Sequence, residues 1–339
     1  MAEKVTSLQV AERAGVSQSA VSRVFTPGAS VSAKTAGKVR EAARELGYRP
    51  NVLARAMITG RSRIIGLVVA YLENHFYPEA LEKLSNALQE EGYHVLIFMA
   101  SQTSGIIDDV VEEILDYQVD GIILASVAMS SDISLRCAAA GIPVVLFNRL
   151  QDDASLPGVA SDNVAGGRKL AEFLLAGGHR RIAHIAGWEG ASTQRDREAG
   201  FLQALSEAGQ GLHARAVGNF HADQAKAAAR SLFSTGTPPD AVFVANDHMA
   251  FAVMDVLRFE LGLSIPGDVS VVGYDDVSIS AWPSYALTTV RQPANRMVEE
   301  TVRTMLERIE DPGAPARRVA IDGPLIVRGS AHIPKGWTA

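Results

Sequence analysis

The chain has a single cysteine, Cys137, among 339 residues, which excludes an internal disulfide and fits a reducing compartment. No apolar run approaches a membrane span, and the opening MAEKVTSLQV lacks the apolar stretch of a secretory leader, so a cytoplasmic location is expected. The eight histidines are scattered without metal-ligand spacing, and there is no Walker loop, no glycine-rich dinucleotide turn and no serine nucleophile elbow. An enzyme is therefore not expected, nor a metal or cofactor. Cys137 stands beside Ala138 to Ala140 in a helical stretch and reads as a buried small apolar residue. No low-complexity tract or short-period repeat suggests a scaffold.

Acidic charge is scarce at one end. Residues 1 to 63 hold eleven Lys and Arg against four Glu, a net charge of +7, whereas the remainder carries −13 and the whole chain −6. Only the first segment is suited to approach a polyanion. Within it Val10, Ala11 and Ala14 fall at helical spacing, Gly15-Val16-Ser17 breaks the helix, and Ser17 is placed to cap a second one. This is helix-turn-helix grammar. On the second helix Ala20, Val21, Val24 and Phe25 share one arc, leaving Gln18, Ser19, Ser22 and Arg23 on the other. A third helix is expected from near Ser32, burying Val39, Ala42, Ala43 and Leu46 and stopping at Gly47. The outward polar arc suits base edges and phosphates; the competing reading is a basic module that binds a protein.

The run VTSLQVAERAGVSQSAVSRVF…VSAKTAGKVREAARELGYRPN resembles the DNA-binding head of the lac repressor/galactose repressor family of bacterial transcription regulators. The resemblance implies that Gln18, Ser19 and Arg23 read bases, with Ser17, Ser22 and the backbone around Ser32 and Thr35 on phosphates. Arg49-Pro50 ends the third helix, and Asn51 to Met57 can form about two helical turns before Gly60. In the family that piece is a hinge helix that forms on DNA, pairs with its twin and pushes an apolar wedge into the minor groove. Asn51, Ala54 and Met57 would take those roles, Met57 standing where Leu is usual. The alternative is a linker whose Leu53 and Met57 pack on the body of the protein.

From Ile64 the chain alternates strand-like runs (IIGLVVA, HVLIFMA, GIILAS, PVVLFN, IAHIAG, AVFVAND, VSVVGYDD) with amphipathic stretches such as 78–91 and 193–207. Doubly buried strands separated by helices predict doubly wound α/β layers, and the length favours two subdomains. The expected organisation is a three-helix head over 1–49, a hinge over 50–63 and an effector-binding and dimerisation domain over 64–339. Its N-subdomain would comprise about 64–160 and 291–320, its C-subdomain about 161–290 and 321–332. The segments SDN…GG, GHRRIAHIAG, VFVANDHMAFAVMDVL, SVVGYDD, LTTVRQP and LIVRGS resemble effector domains of the same family, which implies a type I periplasmic-binding-protein fold with three crossovers. In such folds the ligand lies at the carboxyl ends of the strands.

Strand ends and helix starts there supply Asn74-His75-Phe76-Tyr77, Asn148, Arg197, Asn246, Asp247 and Asp275, His75 standing where the family often has Pro. Asp275, Asn246, Arg197 and Asn148, with Phe220 as an apolar face, suit a polyhydroxylated ligand. Trp282 is a candidate lid. Singly, each has a plainer reading: Phe76 or Phe220 as core, Asp275 as a cap, Trp282 packed on a neighbour. Together they predict a small-molecule effector site, for a sugar or sugar acid first and a nucleoside, purine or other metabolite second. The expected protein is a homodimeric repressor of carbohydrate catabolism or transport, bound to a near-palindromic double-stranded operator and not to a membrane. Its effector would act by linkage between cleft and head. The rival, a periplasmic solute receptor, is opposed by the missing leader. The tail 331–339 lacks leucine heptads, so a dimer rather than a tetramer is expected.

Overall fold

The computed structural model describes residues 5–26, 29–49, 61–70, 72–100, 104–127, 130–152 and 154–338. The hinge positions Asn51, Ala54 and Met57 lie outside the described residues. The chain divides into two compact units, 1–62 and 63–339.

Among the described residues the first unit holds three helices, α1 (Ser7–Ala14), α2 (Gln18–Val24) and α3 (Ala33–Leu46). Each begins on a hydroxyl cap: the Thr6, Ser17 and Ser32 side chains accept from the backbone N–H of Gln9, Ala20 and Thr35, satisfying donors that the helix leaves open. Gly15 and Gly47 close α1 and α3 in the left-handed region, where a side chain would be strained. Val10, Ala11, Ala14, Val21, Val39, Ala42 and Ala43 form the core. Ala20, Val24, Phe25 and Leu46, expected inside, are half-buried, because so small a bundle has few fully enclosed positions.

The second unit holds two six-stranded sheets. In chain order its first elements are β1 (Ile64–Val69), α4 (Phe76–Glu90), β2 (His94–Met99), α5 (Ser104–Asp116), β3 (Gly121–Ala125), α6 (Ser131–Ala139), β4 (Val144–Phe147) and β5 (Gly158–Ser161). There follow α7 (Asn163–Ala176), β6 (Ile182–Ala186), α8 (Ser192–Glu207), β7 (Ala214–Val217), α9 (Ala222–Phe233), β8 (Ala241–Val244) and α10 (Asp247–Asp255). The last are β9 (Ser270–Asp275), β10 (Thr288–Arg291), α11 (Ala294–Glu310), β11 (Arg318–Ile321) and β12 (Leu325–Ile326). The first sheet has the order β11-β5-β4-β3-β1-β2, all parallel. The second is β12-β10-β9-β8-β6-β7, with only β12 antiparallel to its neighbour.

The chain crosses between sheets after β5, after β10 and after β11. These crossovers are bonded to one another: Asp162 N–H donates to the Ile321 carbonyl and Arg291 N–H to that of Pro324, each at 2.9 Å. A Cβ on Gly323 would come within 2.0 Å of the Arg291 carbonyl oxygen, so only glycine permits that approach.

One expectation fails at a sheet edge. The HVLIFMA run forms β2, yet none of its six residues is fully buried and Ile97 and Met99 are half-exposed, β2 having a neighbour on one side only. β7, β11 and β12 have no long apolar run and escape a reading based on one. Cys137 is buried as expected, and burial pushes its thiol up to about 11.

In the second sheet α7 and α8 touch backbone to backbone. A Cβ at Gly200 would stand 2.0 Å from the Val164 carbonyl oxygen, and one at Gly167 2.0 Å from that of Arg197. Gly200→Ala should therefore lower stability by about 1–3 kcal/mol through overpacking, read as a fall in the thermal midpoint. Gly211→Ala, where a Cβ meets nothing, should stay within about 0.5 kcal/mol of the parent.

Candidate functional site

On the head, Ser17, Gln18, Ser19, Ser22 and Arg23 are all exposed along α2. Ser17 and Ser19 hydroxyls meet at 2.9 Å, and Arg23 Nε donates to the Ser19 carbonyl at 3.4 Å. Ser32 and Thr35 share a 2.9 Å hydroxyl contact at the start of α3. Lys34, Lys38, Arg40 and Arg44 are exposed along α3. The arrangement offers hydroxyls, one amide and one guanidinium on a single face, with cations on the neighbouring helix.

In the second unit the strand ends converge on a cavity lined by Asn74, Tyr77, Asn148, Arg149, Thr193, Arg197, Phe220, Asn246, Asp275 and Gln292. Its centre is a buried ion pair. Arg197, on the first turns of α8, reaches Asp275 Oδ1 at 3.3 Å, donates to Asn163 Oδ1 at 2.9 Å and to the Ala245 carbonyl at 2.7 Å, and lies 3.7 Å over the Tyr274 ring. Asp275 also accepts from Asn74 at 3.1 Å and from Gln292 at 2.7 Å. The Asn74 bond spans the two sheets, since Asn74 follows β1 and Asp275 ends β9. Burial pushes the Asp275 carboxyl up, and the Arg197 charge with these donors opposes it.

Several of these residues sit in the left-handed region without being glycine: Asn148 at φ 69°, Phe220 at 64° and Asp275 at 127°. Such strain persists where neighbours over-determine a conformation, commonly at binding sites. Three polar atoms at the cavity are buried and lack a hydrogen-bond partner: Asn148 Oδ1, Asn246 Nδ2 and Gln292 Oε1. An unpaired buried polar atom costs about 1–3 kcal/mol, so these two acceptors and one donor call for a water or a hydroxyl at the cavity. The enclosed volume is about 10 Å³, roughly room for one water, so a larger guest needs the sheets to part.

Of the residues singled out from sequence, Asn74, Tyr77, Asn148, Arg197, Phe220, Asn246 and Asp275 line this cavity. Phe76 does not: its ring stacks on Phe147 in the core, 6.3 Å between centroids. Asp247 is fully buried and turned to the scaffold, accepting from Thr289 Oγ1 at 2.7 Å, Ser280 Oγ at 2.6 Å and Val277 N–H at 3.2 Å. Trp282 is 55% exposed and outside the lining, since the turn Ser278–Ala281 before it is anchored inward through Ser280. Arg149, Thr193 and Gln292 were missed, although Arg149 and Gln292 follow β4 and β10 by the same strand-end rule. Arg149 lies over the Trp188 ring at 5.3 Å. Among the described residues no group of three or more His, Cys, Asp or Glu is placed to hold a metal ion.

Among the described residues no cation pairs with Asp247, and burial followed by the Asp275 charge pushes its carboxyl up to about 7. Its folded value lies above the unfolded one, so the stability it contributes is complete below about pH 4 and lost as pH rises through about 7. Asp247→Asn, which mimics the neutral acid, should flatten that decline in urea unfolding between pH 4.5 and 7.5.

Comparison with known proteins places these features. Residues 8–51 match the family described as bacterial regulatory proteins, lacI family, and 171–331 match the periplasmic binding protein-like domain. The HTH-type transcriptional regulator CelR of Thermobifida fusca is 35% identical over 333 residues, covering 95% of this chain and 96% of that one. A solved CelR–cellobiose complex aligns over 96% of this chain and all of its own, with a TM-score of 0.73 and 31% identity. The lac repressor dimer bound to operator and an anti-inducer aligns over 97% of this chain and 99% of that one, with a TM-score of 0.87 and 28% identity.

Proposed function

Because the chain belongs to the lacI family of bacterial regulatory proteins, and so is a DNA-binding transcription regulator rather than an enzyme, we propose that it represses its target genes as a homodimer under control of a sugar or sugar-acid effector. The observation that carries the effector class is the set of three buried, unpaired polar atoms, Asn148 Oδ1, Asn246 Nδ2 and Gln292 Oε1, beside the Arg197–Asp275 pair and the Phe220 ring. Sugar hydroxyls donate and accept at one oxygen, which is what mixed unpaired donors and acceptors require. A purine would use such donors and acceptors at its edges as well but needs flat walls about its ring, and Phe220 and Tyr77 are the aromatic side chains of this lining.

The effector enters when the sheets part, then draws Asn148 of the first sheet towards Asn246 and Asp275 of the second. Binding therefore favours one closure of the cleft, and linkage requires that whatever couples closure to DNA affinity be coupled to the effector as well. On the head, Gln18, Ser19 and Arg23 take base edges while Ser17, Ser22, Ser32 and Thr35 take phosphates, with Asn51, Ala54 and Met57 assigned to the hinge from sequence. Two heads need a dimer. The exposed apolar side chains Ile97 and Met99 on edge strand β2, with Phe259 and Trp282, are the surfaces assigned to it.

Genome-wide selection of bound fragments should recover a short palindrome. On that site Arg23→Ala should cost about 1–3 kcal/mol while leaving most of the salt-dependent background binding, measured by titration at several salt concentrations. For the effector, a thermal-shift panel of hexoses, disaccharides, sugar acids and purines should give its shift with a sugar or sugar acid; a shift confined to purines would refute that class. Asn246→Ser keeps a capping oxygen for α10 but removes the free donor, and should weaken the hit roughly tenfold with operator binding retained.

A further inference from the structure

The reading face contains one contact between helices that neither capping nor packing requires. Gln18 Nε2 donates to Ser7 Oγ at 2.9 Å. Ser7 is the first residue of α1 and half-buried; Gln18 is the first residue of α2 and exposed. Their separation is set by the α1–α2 core of Val10, Ala14 and Val21 and by the Gly15 turn, whose next residue Val16 bonds back to the Ala11 carbonyl at 3.0 Å. Ser7 is therefore a fixed post beside a side chain with three rotatable bonds.

We propose that Ser7 is a specificity-positioning residue, which orients the Gln18 amide to read adenine in the major groove. The proposal rests on the assignment of Gln18 to base reading. With one Nε2 hydrogen directed at Ser7, the amide keeps its second N–H and its carbonyl oxygen for the groove. These form the adjacent donor and acceptor that pair with adenine N7 and N6. The tether holds the amide beside Ser7 and removes much of the side-chain freedom that binding would otherwise have to freeze. Ordering one long side chain at an interface corresponds to roughly a three- to tenfold change in affinity. Among the described residues Arg23 has no such post on another helix: its Nε bonds the Ser19 carbonyl of its own helix.

The test is selection from a random double-stranded DNA library by the full-length protein, comparing the parent with Ser7→Ala, Ser7→Thr, Gln18→Ala and the Ser7→Ala/Gln18→Ala pair. Gln18→Ala should abolish preference for adenine at one symmetric position of each half-site. Ser7→Ala should reduce adenine preference at that same position by about three- to tenfold, leaving other positions, the salt slope and the thermal midpoint unchanged. Ser7→Thr should restore it, and the double variant should match Gln18→Ala. Unaltered preference in Ser7→Ala, a uniform loss at all positions, or a further loss when Gln18 is already alanine would each overturn the proposal. So would a base other than adenine at the position Gln18 controls. If Gln18→Ala changes no position, the base-reading assignment itself falls, and the proposal with it.

Discussion

A guanidinium and a carboxylate removed from water hold the effector domain's geometry together. Arg197 touches the start of α7 through Asn163, the end of β8 through Ala245, the end of β9 through Asp275 and the face of Tyr274. Asp275 extends the set to Asn74 in the other sheet and to Gln292 at the second crossover. Burying such a pair gains little net stability, because desolvation offsets the attraction, whereas removing one partner strands a charge and costs several kcal/mol. What the pair contributes is a geometry that no single element can relax away from alone. The left-handed backbone at Asp275 lies inside this network, while the close passage of α8 over α7 beside it rests on Gly167 and Gly200.

Much of this was legible in the sequence, for reasons that differ by element. Central strands are apolar on both faces, so VSVVGYDD and AVFVAND announce themselves, and the polar residues that end them fall at the cleft by topology alone. Asn148, Asn246 and Asp275 were found in that way. The same rule reaches Arg149 and Gln292, but an Arg after a strand reads as surface until one sees it buried, at 4% exposure, and stacked on Trp188. Asp247 misled because its neighbour Asn246 does face the cavity. One residue further along the helix start, the side chain turns to Thr289 and Ser280, and only the fold can tell those directions apart. Edge strands were the other failure, since half their surface never has to be apolar.

The head follows a different logic. Among the described residues its fully buried core is seven side chains, with Val5, Val16, Val24, Phe25, Leu46 and Tyr48 packed around them. Caps and turns therefore carry much of its definition, and these were readable as Ser17, Ser32 and Gly47. Net charge separates the two units as sharply as contacts do: the positive segment meets the polyanion, while the negative remainder discourages nonspecific adhesion of the effector domain to the same DNA.

The crossovers carry a mechanical consequence. Asp162 is bonded to Ile321 and Arg291 to Pro324, with Gly323 seated against the Arg291 carbonyl, so the three connections form a laminate rather than three separate threads. A tilt that loads one connection is passed to the other two through these bonds, so the two sheets share their strain at a single bundle of chain.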